Sequence, residues 1–129
     1  MQDFSLKYKS KKSVKEVATK IKTEVENSGF KVLNELDLSE KIRKTLNIDY
    51  EDYLILEVCN PKFAQEILSQ KKSAGVFLPC KIALYQDGNE TKIEFQKPSF
   101  ISTFFYSKPI ESITEKIETL LNEVIKSSL

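Results

Sequence analysis

Two short motifs place thiols where chemistry could use them: Cys59-Asn60-Pro61 at the end of one apolar run, and Leu78-Pro79-Cys80 at the start of another. Two thiols held together could form a disulfide, exchange electrons or share a metal ion, and a disulfide needs Cα atoms ~5.5 Å apart. Antiparallel strands would put both cysteines at one end of a sheet; parallel strands would separate them. A helix beginning at Asn60 would add its N-terminal dipole, which lowers the pKa of a neighbouring Cys59 thiolate. Cys59 and Cys80 are therefore the redox candidates, and weak metal candidates, because zinc usually takes four protein ligands and the Cys-x-x-Cys hook is missing. The plainer reading makes both of them small hydrophobes packed at strand ends.

Asn60 has a similar pair of readings. Asn at an N-cap followed by Pro at N1 explains both residue types as a helix start, while the free N–H groups of Lys62 and Phe63 could bind an anion. Phe100, Ile101, Phe104, Phe105 and Tyr106 gather aromatics on one short segment. Such a group fills a core, forms an oligomer interface or covers an apolar pocket, so Phe100, Phe104 and Phe105 join Asn60 as ligand-binding candidates. Asp49, Glu51 and Asp52 surround Tyr50 and Tyr53, a carboxylate cluster that reads first as a solvated loop and only then as an acid–base pair.

The chain has no histidine, which removes Ser-His-Asp and Cys-His nucleophiles, His-ligated zinc and imidazole relays from the chemistry it can perform alone. Lys and Arg number 20 against 19 Asp and Glu, so no net field concentrates polyanions, and Arg43 alone offers a guanidinium fork. The lysines at positions 7, 9, 11, 12, 15, 20 and 22 read as a solvated face, with only Tyr8 interleaved. Nucleic acid is not expected as a partner. No run approaches the ~18 apolar residues of a membrane span, and Met1-Gln2-Asp3-Phe4 lacks a signal-peptide layout, so a cytoplasmic protein without a membrane partner is expected. In that compartment two cysteines stay reduced by default.

The elements that must position these groups follow from periodicity. Residues 3–10 alternate as a half-buried strand. Ser13 and Glu16 form a capping box, with Val14, Val17, Ala18, Ile21 and Val25 at helical spacing until Gly29. Residues 30–38 predict a second strand, and Ser39 predicts the cap of a short helix carrying Ile42 and Leu46. The nearly continuous apolar run Tyr53–Cys59 predicts a strand in the middle of the sheet, covered on both faces. A helix follows from Pro61, with Phe63, Ala64, Ile67 and Leu68 inward. Residues 81–86 and 91–96 form a hairpin around Asp87-Gly88-Asn89. A short apolar helix over 100–105 leads to a long terminal helix, whose start is predicted at the capping box Ser112–Glu115. The order β-α-β-α-β-α-β-β-α, in 129 residues of 40% hydrophobic composition, specifies an α+β fold: one compact domain over residues 1–129, with a sheet of about five strands packed against helices.

Gly29-Phe30, Asn60-Pro61, Leu78-Pro79 and Asp87-Gly88, in this order and spacing, resemble the prokaryotic family catalogued as domain of unknown function 302. The resemblance runs from about Ser10 to the end of the chain. It implies a mainly antiparallel sheet and a homodimer, and brings no activity and no cofactor with it. The expected function is a non-catalytic ligand-binding or interaction module, with a second copy and a small apolar ligand as partners and a pocket between the sheet and residues 98–106. The alternative is thiol redox or metal handling by Cys59 and Cys80. A conventional enzyme is the less favoured class because the usual activating base is missing.

Overall fold

The computed structural model describes residues 3–129. Five strands, β1 (Ser5–Ser10), β2 (Lys31–Asp37), β3 (Tyr53–Cys59), β4 (Cys80–Asp87) and β5 (Glu90–Gln96), form one antiparallel sheet in the order β1-β5-β4-β3-β2. The helices are α1 (Val14–Asn27), α2 (Leu38–Leu46), α3 (Pro61–Gln70), α4 (Pro98–Ser102) and α5 (Lys108–Ser128), with a 3₁₀ segment at Lys72–Phe77. The element order is the one the periodicity specifies.

Local signals set most boundaries. The Ser13 hydroxyl accepts from the Glu16 N–H at 3.2 Å, and the Glu16 carboxylate accepts from the Ser13 N–H, closing the expected box. Past the end of α1, Gly29 adopts φ +86°, a left-handed conformation that a side chain would strain. Asn60 accepts from the Lys62 and Phe63 N–H groups at 3.1 and 3.3 Å, and Pro61 follows at the first helical position.

One layer of helices packs on one face of this sheet. Val17, Ile21 and Val25 of α1 and Ile117, Leu121 and Ile125 of α5 meet Leu56 and Val58 of β3, Ile82 and Leu84 of β4, and Ile93 and Phe95 of β5, all buried. At the sheet margin Tyr8 stacks on Phe95 and donates its hydroxyl to Asn122 of α5.

Three expectations are corrected. The strand Tyr53–Cys59 is neither central nor covered twice: β4 is the middle strand, and along β3 only Leu54, Leu56 and Val58 are buried. Helix α2 is capped by Asp37, whose carboxylate accepts from the Glu40 N–H at 3.0 Å. Ser39 instead lies buried inside the helix, where its hydroxyl accepts from the Tyr53 N–H at 3.0 Å. The terminal helix starts at Lys108 rather than near Ser112, because the Ser107 hydroxyl accepts from the Ile110 N–H and Pro109 suits the first turn.

Leu121 is completely buried between α5 and the sheet. Leu121→Ala is expected to cost about 3 kcal/mol of unfolding free energy, in the usual range for a buried leucine truncation. Urea denaturation followed by circular dichroism measures it; a loss below about 1 kcal/mol would show that this layer does not hold the fold.

Candidate functional site

The two thiols come to the same end of the sheet, because β3 and β4 are antiparallel, but they do not form a pair. Cys80 sits opposite Val58, whose side chain is in the core, whereas Cys59 is one residue further and opposite Lys31 of β2. Successive side chains on a strand point to opposite faces, so the register turns the two sulfurs apart. Both cysteines are free. Burial pushes the Cys59 thiol up and the Cys80 thiol to about 11, opposite to the lowering that a helix dipole alone would give. Neither thiol is activated. Among the described residues no group of three or more Cys, Asp or Glu side chains is placed to hold a metal ion.

The Asn60 side-chain oxygen accepts from the two N–H groups that an anion would have used. The aromatic segment also settles against protein. Phe104 stacks on Phe77 at 5.4 Å between centroids, and Phe105 and Phe100 meet this pair edge-on, as partners of Phe77 and Phe104 respectively. A separate void, bordered by Cys59, Asn60 and Cys80 with Phe30, Ala64 and Ile67 and by none of residues 98–106, measures about 10 Å³. That is at the lower limit for one water molecule and far below a ligand's volume.

What the sheet leaves uncovered lies on its other face. Opposite the helices, β3 presents Tyr53, Ile55 and Glu57, β4 presents Lys81, Ala83 and Tyr85, and β5 presents Lys92, Glu94 and Gln96. Leu36 of β2 stands opposite Ile55, and Lys7 of β1 opposite Glu94. Tyr53 and Tyr85 are cross-strand partners, stacked at 5.3 Å and nearly parallel. Glu94 accepts from Tyr85 Oη at 2.5 Å and from Ser5 Oγ at 2.8 Å.

Three depressions mark this face. One of about 450 Å³ is lined by residues 49–53, Tyr85 and Gln86. A second of about 380 Å³ lies among Lys7, Lys9, Tyr85, Lys92 and Glu94, and a third of similar volume is bordered by Phe4, Tyr53, Ile55 and Ala83. Tyr85 belongs to the first two. The hydrogen bond to Glu94 pushes the Tyr85 phenol up to about 12, and the same bond holds the Glu94 carboxyl below its ordinary range. Burial raises Tyr53 as well. At neutral pH Tyr53 and Tyr85 therefore stay protonated and Glu94 stays ionised.

None of Tyr53, Ile55, Ala83, Tyr85 and Glu94 is among the sequence-derived candidates. The signal of the first four is the apolar character of odd positions in β3 and β4, where an alternating half-buried strand would carry polar residues; Glu94 fits the alternation of β5 and carries no such signal.

The family model described as "Domain of unknown function DUF302" matches residues 6–128. The fold is similar to the crystal structure of an uncharacterized conserved DUF302 protein from Bacillus stearothermophilus, with a TM-score of 0.91 and 28% identity over 98% of each chain. No curated protein matches the chain.

The thiols give a test of their own. Unfolded, a cysteine ionises near 9.0, whereas folded Cys80 ionises near 11. Above pH 9 the unfolded chain releases this proton first, so this contribution to stability is complete below pH 9 and is lost as pH rises towards 11. Cys80→Ala should flatten that part of the alkaline stability profile measured by urea titration. An unchanged slope would show that the Cys80 thiol titrates normally in the fold.

Proposed function

The chain belongs to the DUF302 family, and we propose that within it this protein is a non-catalytic interaction module whose open sheet face binds a second copy of itself. The observation that carries this reading is the apolar content of a face that no helix covers. Ile55, Ala83 and the Tyr53–Tyr85 pair lie on its inner strands, Leu36 lies on the outer strand β2, and Phe4 and Tyr50 at its margin are 44% and 46% exposed. These apolar side chains have Lys7, Glu57, Lys81, Lys92 and Glu94 around them, and an apolar patch rimmed by polar groups marks an interaction site. Strands ~4.8 Å apart and ~3.3 Å per residue give five strands a face of roughly 24 by 22 Å. With its flanking loops this approaches the ~800 Å² per partner of a stable interface.

Charge favours a second copy as the occupant. Lys9 and Lys92 are directly opposed on β1 and β5; Glu90 answers Lys92 at 3.9 Å, and Lys9 makes no ion pair among the described residues, so an external carboxylate would meet Lys9. The loop carrying Asp49, Glu51 and Asp52 enters β3 on the other flank, at the same end of the sheet, where the Gln86 N–H donates to the Asp52 carbonyl. Arg43 neutralises Asp52 at 2.8 Å, and Asp49 and Glu51 form no ion pair among the described residues. A two-fold axis along β4 lays the lysine flank of each copy over the acidic flank of the other and brings Tyr85 near Tyr85 at the centre. Such self-complementarity is what an isologous dimer requires. The expected small apolar ligand has less support, because Phe100, Phe104 and Phe105 pack on one another and on Phe77. The redox alternative also loses support, since both thiols stay protonated at neutral pH and face apart.

Sedimentation equilibrium tests the proposal. The native chain should dimerise, and Ile55→Lys, placed on the open face, should give a folded monomer. Lys9→Glu should weaken the dimer by about tenfold, close to 1.4 kcal/mol, and Asp49→Lys in the same chain should restore it. A native chain that stays monomeric at millimolar concentration, or a dimer indifferent to Ile55→Lys, would rule this face out.

A further inference from the structure

The end of the sheet away from the β4–β5 turn carries a second apolar surface, built from the 3₁₀ segment before β4 and the residues after β5. These segments emerge side by side because Ile82 and Phe95 are paired. The Phe77–Phe104 stack joins them. Beyond that stack Phe104 is 56% exposed, Val76 85% and Tyr106 105%. A tyrosine as exposed as in an isolated peptide stands clear of the molecule, so these side chains project as tips and do not line a groove.

The charge around them has one sign. Residues 67–86 and 95–110 hold five lysines, at positions 71, 72, 81, 97 and 108, and no aspartate or glutamate. Carboxylates from outside these two segments answer three of them at 3.7 Å: Glu57 for Lys81, Asp3 for Lys97 and Glu111 for Lys108. Among the described residues Lys71 and Lys72 make no ion pair, and Lys72 opens the 3₁₀ segment whose end carries Val76 and Phe77.

We propose that this pole docks on an anionic lipid surface, with Val76, Phe104 and Tyr106 entering the boundary between headgroups and acyl chains and Lys71 and Lys72 against the lipid phosphates. Aromatic rings with a polar tip settle at that depth, and lysines beside them add attraction to acidic headgroups. A fluid interface accepts projecting tips without the shape-matched groove that a folded partner would have to supply. Surface docking needs no spanning helix, and no helix among the described residues is long and apolar enough to cross a membrane. The attachment is independent of the open sheet face.

Co-sedimentation with vesicles tests this proposal. At low salt the protein should pellet with vesicles of equal parts phosphatidylcholine and phosphatidylglycerol, and not with phosphatidylcholine alone. Lys71→Glu with Lys72→Glu should reduce partitioning at least about twentyfold, since each lysine near the surface is worth roughly fivefold. Val76→Ser with Tyr106→Ser should abolish binding while leaving the thermal transition unchanged, because neither side chain is packed. Ile55→Lys should bind like the native chain. Failure to pellet with the anionic vesicles overturns the proposal and leaves a protein partner as the occupant of the patch. Binding that survives the serine pair overturns the insertion of the aromatic tips.

Discussion

The contact between the α1–α5 layer and one face of the sheet is the constraint from which the remaining structure follows. Leu56, Ile82, Leu84 and Ile93 are completely excluded from solvent there, and α1 and α5 each place a stripe of aliphatic side chains against them. Because a strand alternates, this burial fixes which residues of β3, β4 and β5 must point the other way. Chemistry on the open face is thus dictated by packing on the covered one. A shift of one residue in β4 would exchange Tyr85 for Leu84 and remove both the core and the tyrosine stack.

The polar groups on that face are tied to one another rather than left for reaction. Glu94 is held by Tyr85 and Ser5 from two neighbouring strands, and its charge in turn keeps the Tyr85 proton in place. Such a cluster has its hydrogen bonds made within the sheet, so the face is a preformed surface. The thiols at the far end of the sheet have an equally settled environment, with burial working against their ionisation.

Most of the scaffold is legible in the residues themselves. Ser13 with Glu16, Asn60 with Pro61, and Gly29 each act through bonds or torsions within a few positions, and each stands where its type demands. The hairpin around Asp87-Gly88 is equally local. What local patterns did not reveal is which strand would be central and which face would remain open. The apolar side chains of Tyr53, Ile55 and Ala83 suggest cover on both faces because periodicity registers hydrophobicity without registering what supplies the cover. Ser39 reads as a cap for a related reason: its bond to Tyr53 spans fourteen residues and exists only once β3 lies beside α2. The cysteine pairing likewise turned on register, since direction alone brings Cys59 and Cys80 to one end and a single-residue offset turns them apart.

The irregularity in β2 has a consequence for how copies of this chain can meet. Its pairing with β3 slips between Val32 and Asn34, leaving Leu33 58% exposed on a strand that has no neighbour on its other side. A bulged outer strand makes a poor template for adding another, and β1 at the opposite margin carries Lys7 and Lys9. Both rims therefore resist the growth of one sheet into the next, the route by which exposed strands lead to fibres. Two copies stacked face to face, as proposed, would form a closed pair, whereas joining rim to rim does not close.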